Sequence, residues 1–221
     1  MSTVPARPVA AGQGLLLHDV DWRTYSRLLH AFAERPGVRL TYDRGSLEIM
    51  SLLFEQDSDA YPIGRFVDVL TEEMALPIEG GRSTTLRRRR RRRGLEPDNC
   101  FWIAHASQIQ GRRRIDLRVD PPPDLAIEVD VTHSSLDRMS LYASLGVPEV
   151  WRLDGPNLTF HGLGADGKYT ERTHSLAFPF VTPADLTRFL ALHAAQDANA
   201  VVRQFRAWVR QQLAGGTPPV P

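Results

Sequence analysis

The chain is poor in cysteine, in lysine and in long apolar runs. Among its 221 residues stand one cysteine, Cys100, and one lysine, Lys168. A lone thiol excludes an internal disulfide framework and any cysteine-based zinc site within one subunit, and it suits a reducing cytoplasm. The apolar run Leu15 to Leu17 is too short for a membrane span or for the apolar part of a secretory signal. A cytoplasmic protein with no membrane partner is therefore expected. Metal-binding histidine spacing is missing too, because His105, His133, His161 and His174 form no His-x-x-x-His pair. No Gly-x-Ser-x-Gly elbow surrounds Ser134 or Ser135, which read as helix caps, and there is no glycine-rich phosphate loop. Serine hydrolysis and nucleoside triphosphate hydrolysis thus find no support.

The charge that is present is unevenly spread. A formal net charge of +1 means that attraction for nucleic acid must come from local patches rather than from the whole molecule. Arg87 to Arg93 form an unbroken run, and Arg112, Arg113 and Arg114 a second. With arginine carrying nearly every positive charge, a single guanidinium says less about bidentate phosphate binding than it would in a chain of mixed bases. The long run reads either as a solvated, self-repelling loop or as a contact to a phosphate backbone.

The length suits one α/β domain, here residues 15–214, between a Pro/Ala/Gly tail at 1–14 and a short tail at 215–221. Trp22, Tyr25, Leu28, Leu29 and Phe32 recur at helical steps after Asp21, a natural N-cap. Two alternating segments, Val38 to Tyr42 and Leu47 to Met50, flank the turn formers Asp43 to Ser46 and predict a hairpin. A helix is expected over Tyr61 to Met74, started by Pro62, with Glu55, Gln56 and Asp57 just ahead of it. Strands follow near Arg82 to Leu86 and over Pro97 to Ile103, with Gly94 helping the chain to turn between them. Next come a helix from Leu136 to Leu145, capped by Ser134 or Ser135 and stopped by Gly146, and a hairpin pairing Pro148 to Leu153 with Leu158 to Leu163. Leu186, Leu190 and Leu192 mark a helix that closes the domain. Residues 198–213 form a last one, whose stripe of Val201, Phe205, Trp208, Val209 and Leu213 can pack on the domain or on a second copy. Trp102, Trp151 and Tyr142 can stack on bases but fit core positions better.

The chemistry lies in PPPDLAIEVDVT. Leu125, Ile127, Val129 and Val131 alternate with Ala126, Glu128, Asp130 and Thr132, the two-residue period of a strand. With the apolar set in a core, Glu128 and Asp130 leave the other face together, where two ionised carboxylates call for a cation between them. Asp98, after Pro97, belongs to a strand expected beside this one, so three carboxylates are expected to converge. A hard divalent ion such as magnesium takes oxygen ligands of this kind, completed by waters and a substrate phosphate. In such a site it assists in-line attack on a phosphodiester.

PDNCFWI, DLAIEVDVTHSSLD and YASLGVPEVWRLDG resemble, in order, segments of the Uma-two branch of the restriction-endonuclease-like PD-(D/E)xK superfamily. The resemblance runs from about Leu40 to about Leu190. It implies an α/β fold with a restriction-endonuclease-like core, a mixed central β-sheet flanked by helices. It also implies a Mg2+ or Mn2+ cofactor, DNA as partner, and Asp98 and Glu128 as metal ligands. Two positions depart from the pattern. The superfamily's usual lysine slot holds Asp130, and the branch's alternative lysine, four residues before a tyrosine, corresponds to Arg138 before Tyr142. Where the branch tends to place a histidine stands Gln56, leaving Glu55 and Asp57 as outer carboxylates for a metal. Arginine stays protonated, so Arg138 can offset phosphate charge but cannot take a proton from water.

The expected activity is therefore metal-dependent cleavage of DNA by Asp98, Glu128, Asp130 and Arg138, with the backbone held by Arg87, Arg88, Arg89, Arg90, Arg91, Arg92 and Arg93. A homodimer would supply one site for each strand. The alternative is a relative that keeps the fold, has lost turnover and binds nucleic acid.

Overall fold

A computed structural model of the chain describes residues 14–33, 37–51, 54–82, 84–130, 134–193 and 195–215, with 54–59 described by backbone alone. Residues 1–13 and 216–221, expected as tails, and Val131 and Thr132, expected to continue the acidic strand, lie outside that set.

In chain order the elements begin with β1 (Gly14–Leu17), α1 (Trp22–Phe32), β2 (Val38–Asp43), β3 (Ser46–Ser51), α2 (Phe54–Glu73) and β4 (Glu79–Gly80). β5 (Leu86–Arg88), β6 (Arg93–Leu95), β7 (Asn99–Trp102), α3 (Ala106–Ile109) and β8 (Leu125–Val129) follow. The last are α4 (Arg138–Leu145), β9 (Glu149–Asp154), β10 (Asn157–Leu163), β11 (Tyr169–Arg172), α5 (Pro183–His193) and α6 (Ala198–Ala214). They form two sheets. One is five-stranded in the order β1-β3-β2-β6-β5, and the other six-stranded in the order β11-β10-β9-β8-β7-β4. The second is the mixed sheet of a restriction-endonuclease-like α/β fold: β8 and β9 run parallel, joined through α4, while its other neighbours are antiparallel.

The alternation along β8 divides two cores. Leu125, Ile127 and Val129 join a cluster with Ile63, Phe66 and Leu70 of α2 and with Val201 and Phe205 of α6. Ala126 faces a second cluster with Leu141, Tyr142 and Leu145 of α4. The stripe of α6 is thus used inside the domain, and Trp102, Trp151 and Tyr142 are core residues, each at most 1% exposed. A third, smaller cluster seats Tyr25 of α1 on Leu40, Tyr42 and Leu47.

Four local expectations change. α2 starts at Phe54 and not at Tyr61, so Pro62 lies inside the helix and Glu55, Gln56 and Asp57 lie within its first turn. A proline denies the carbonyl four residues back its donor, yet Ala60 and Ile63 on either side of it are buried against the sheet, and that packing carries the helix through. The arginine run is not a loop: β5 and β6 pair as a hairpin, with Arg89–Arg91 as a 3-10 turn at its tip. Gly94 accordingly sits within β6, paired with Arg87 and Tyr42, instead of at a turn. Finally, Asp137 rather than a serine caps α4, its carboxylate accepting the N–H of Ser140 (3.1 Å), while Gly146 ends the helix at φ 85° as expected.

Candidate active site

Register brings the two principal carboxylates together. Asn99 of β7 pairs with Ile127 of β8, so the preceding residue, Asp98, falls opposite Glu128, and residues opposed in an antiparallel pair share a face. Asp98 Oδ2 accepts the backbone N–H of Val129 (2.6 Å), which ties the start of β7 to the end of β8. Glu128 is 6% exposed. Its Oε2 accepts the hydroxyl of Tyr142 (2.6 Å) and an N–H of Arg138 (2.9 Å), and Arg138 Nε lies against Oε1.

The five-stranded sheet closes the site from the other side. Arg39 and Thr41 leave the same face of β2; Arg39 pairs with Asp98, and Thr41 accepts a second N–H of Arg138 (2.8 Å). A third goes to the backbone carbonyl of Glu96 (2.8 Å). Opposite Thr41 in register stands Glu48 of β3, buried, which accepts the Ser134 hydroxyl (2.5 Å) and the Ser135 N–H (2.7 Å). The serines expected as helix caps therefore anchor the segment after β8 to the other sheet.

Burial raises the pKa of Asp98 to about 6, and the nearby charge of Glu128 pushes in the same direction, against the pull of Arg39 and the Val129 N–H. Glu96 is also raised by burial, with Arg39 and Arg138 opposing. Burial works against the charge of Arg138, but Glu128, Tyr142 and Asp98 together hold its pKa above the ordinary value. Tyr142 lies well above its usual value, through burial first and Glu128 second. The site is a compact polar layer in which carboxylates outnumber guanidiniums.

The remaining expected residues lie elsewhere. Asp130, just beyond β8, pairs with Arg152 of β9 (2.6 Å), so the three carboxylates do not converge as expected. Among the described residues no group of three or more His, Cys, Asp or Glu side chains is placed to hold a metal ion. The side chains of Glu55, Gln56 and Asp57 lie outside the described residues. Arg87, Arg89, Arg90, Arg91 and Arg92 are exposed along the hairpin, while Arg88 and Arg93 are partly buried. Arg39, Thr41 and Glu48 carry site contacts that the motifs did not single out. Their signal was the polar alternation of β2 and β3, a pattern identical to that of a solvent-facing strand.

A two-carboxylate pair on adjacent strands, braced by a helix-borne cation and set in a mixed sheet, defines a restriction-endonuclease-like α/β protein. A model of the Uma2 family, described as "Putative restriction endonuclease", matches residues 22–195. The chain belongs to that family, and its membership points to a nuclease. No curated protein matches the chain. Among the described residues no helix is long and apolar enough to cross a membrane.

Proposed function

We propose that this protein is a divalent-metal-dependent endonuclease that hydrolyses phosphodiester bonds in DNA, with Asp98 and Glu128 holding a Mg2+ or Mn2+ ion. The observation that carries the reading is the facing pair itself: two buried carboxylates on paired strands, one driven up to a pKa of about 6 partly by the other. That donor chemistry fits a hard cation, which needs only one or two protein carboxylates when waters and a substrate phosphate complete its shell. When bound, the ion supplies the positive charge that polarises the phosphodiester and eases deprotonation of a water.

The chain's own residues do the rest. Tyr142 and Arg138 fix the orientation of Glu128, and the Val129 N–H fixes that of Asp98. Arg138 remains a cation throughout and offsets charge building on the phosphate. Arg39 keeps a buried Nε–H with no partner among the described residues beside Asp98, a further donor for a phosphate oxygen. Asp130 is held by Arg152 and takes no part in gripping the ion, which needs neither Glu55 nor Asp57. The exposed arginines supply the surface for the DNA backbone, and a second copy of the chain would supply the site for the opposite strand. The buried, free thiol of Cys100 suits work in the cytoplasm.

Plasmid nicking by purified protein tests this reading. Nicking should appear with Mg2+ or Mn2+, vanish with a chelator, and fall at least 100-fold in Asp98→Ala, about 3 kcal/mol of transition-state stabilisation. Undiminished cleavage by that variant would remove the site. One observation favours a second reading, a nucleic-acid-binding module without turnover: Arg39 and Arg138 already neutralise the two carboxylates, and an arginine stands where the family pattern has lysine. Duplex binding in chelator with no nicking under any metal would establish that module instead.

A further inference from the structure

The arginine hairpin forms one wall of a cleft that the carboxylate site does not use. A hollow of about 570 Å3 lies between Arg91 and Arg93 of the hairpin, the outer face of α4 and the β10–β11 turn that carries Lys168. Its walls are fixed to one another. Arg93 donates to the carbonyl of Ser140 on α4 (3.0 Å), and the Tyr169 hydroxyl donates to the carbonyl of Val147 just past α4 (2.6 Å).

Arg91, Arg93 and Lys168 line it together with Asp137 and Asp166, and of these cations Arg93 is paired with Asp43. None of Arg87, Arg89, Arg90, Arg91 and Lys168 forms an ion pair among the described residues. Asp137 caps α4, Asp166 accepts the backbone N–H of Lys168 (3.1 Å), and Asp43 is shared by Arg44 and Arg93. A second feature points the same way. Arg92 at the hairpin and Arg44 on the adjoining β2–β3 turn both adopt left-handed backbone, at φ 50° and 49°, and are joined by the Arg44 N–H to the Arg92 carbonyl (2.8 Å). Left-handed backbone favours glycine or asparagine, and non-glycine residues held in it cluster at ligand-contacting sites.

Cations on two facing walls suit a linear polyanion lying between them, whereas a flat anionic surface would meet the hairpin tip alone. We propose that this cleft is a groove for the sugar–phosphate backbone of duplex DNA, with Lys168 and the Arg89–Arg91 tip contacting phosphates on its two sides. The proposal rests on the nucleic-acid reading above and gives it a geometry. Seven residues lead from Arg91 to Asp98 along β6, and an extended chain rises about 3.3 Å per residue. The tip therefore meets the duplex within about 23 Å of Asp98, roughly seven base-pair steps.

The test is binding of a 20-base-pair duplex in chelator, followed by fluorescence anisotropy across NaCl concentrations. Each phosphate contact steepens the plot of log K against log [salt] by about 0.9. Lys168→Ala should therefore flatten the slope by about one and Arg89→Ala/Arg90→Ala/Arg91→Ala by about three, with Lys168→Arg restoring the wild-type value. Thermal melts should match the wild type, since these side chains are exposed. An unchanged slope in either variant, in protein that still binds the duplex, overturns the groove; so does binding to phosphatidylserine vesicles without binding to DNA. Expected slopes in a protein that nicks under no metal would support the groove and refute only the hydrolytic reading.

Discussion

At the scale of single residues, Asp98 sets the pH behaviour of the site. Its folded-state pKa of about 6 stands above the ordinary value of 3.8, so between those two pH values the folded protein binds more protons than the unfolded chain. Stability contributed by this group is then present at low pH and lost as pH rises through about 6. Two pH units correspond to about 3 kcal/mol. In metal-free urea titrations, the stability of Asp98→Asn relative to wild type should therefore shift in the variant's favour by about that amount between pH 4 and pH 7. A pH-independent difference would show that burial and Glu128 do not raise this carboxyl. Asp98 and Glu128 were legible in the sequence, because a Pro-Asp dipeptide and an apolar–acidic alternation are both local. Arg39 and Glu48 were not, since polar alternation on β2 and β3 looks the same whether that face meets water or a second polar layer.

At the scale of elements, the arginine hairpin depends on a close approach rather than on its charges. Gly94 passes so near α1 that a Cβ there would overlap the Tyr25 hydroxyl and lie 3.1 Å from Arg87 Cβ. Tyr25 is stacked on Tyr42 at 4.6 Å between ring centroids and has little room to retreat. Gly94→Ala should destabilise the protein by about 1–3 kcal/mol, measured by chemical denaturation, and loosen the hairpin in hydrogen exchange. The sequence displayed Gly94 as a turn glycine because seven arginines beside it resemble a solvated loop, and nothing local reveals the helix that crosses it. Pro62 misled in the same way. Proline marks helix starts on average, but the buried faces on both sides of this one belong to a single helix. The α1 cap at Asp21 and the stop at Gly146 were readable, as each depends on one residue's own preferences.

At the scale of the whole molecule, α6 is part of the core. Phe205 is fully buried, packing on Phe66 at 4.4 Å and Phe189 at 5.1 Å between ring centroids. Phe205→Ala should cost about 3–5 kcal/mol and lower the melting temperature without changing the oligomeric state measured by sedimentation. A change of oligomeric state would instead mean that α6 serves an interface between copies. Its amphipathic stripe was plain in the sequence, but whether that stripe met the same chain or another depended on where α2 lay, which no local pattern encodes. The sheet order had the same fate: hairpins could be read, whereas the parallel joining of β8 to β9 across α4 could not.

The solitary thiol has a practical corollary. Cys100 is buried, and burial pushes its pKa up to about 12, so the native protein should ignore maleimides at neutral pH. Arg90→Cys would then offer one addressable handle at the tip of the hairpin. A fluorophore attached there could report how far the tip stands from either end of a labelled duplex.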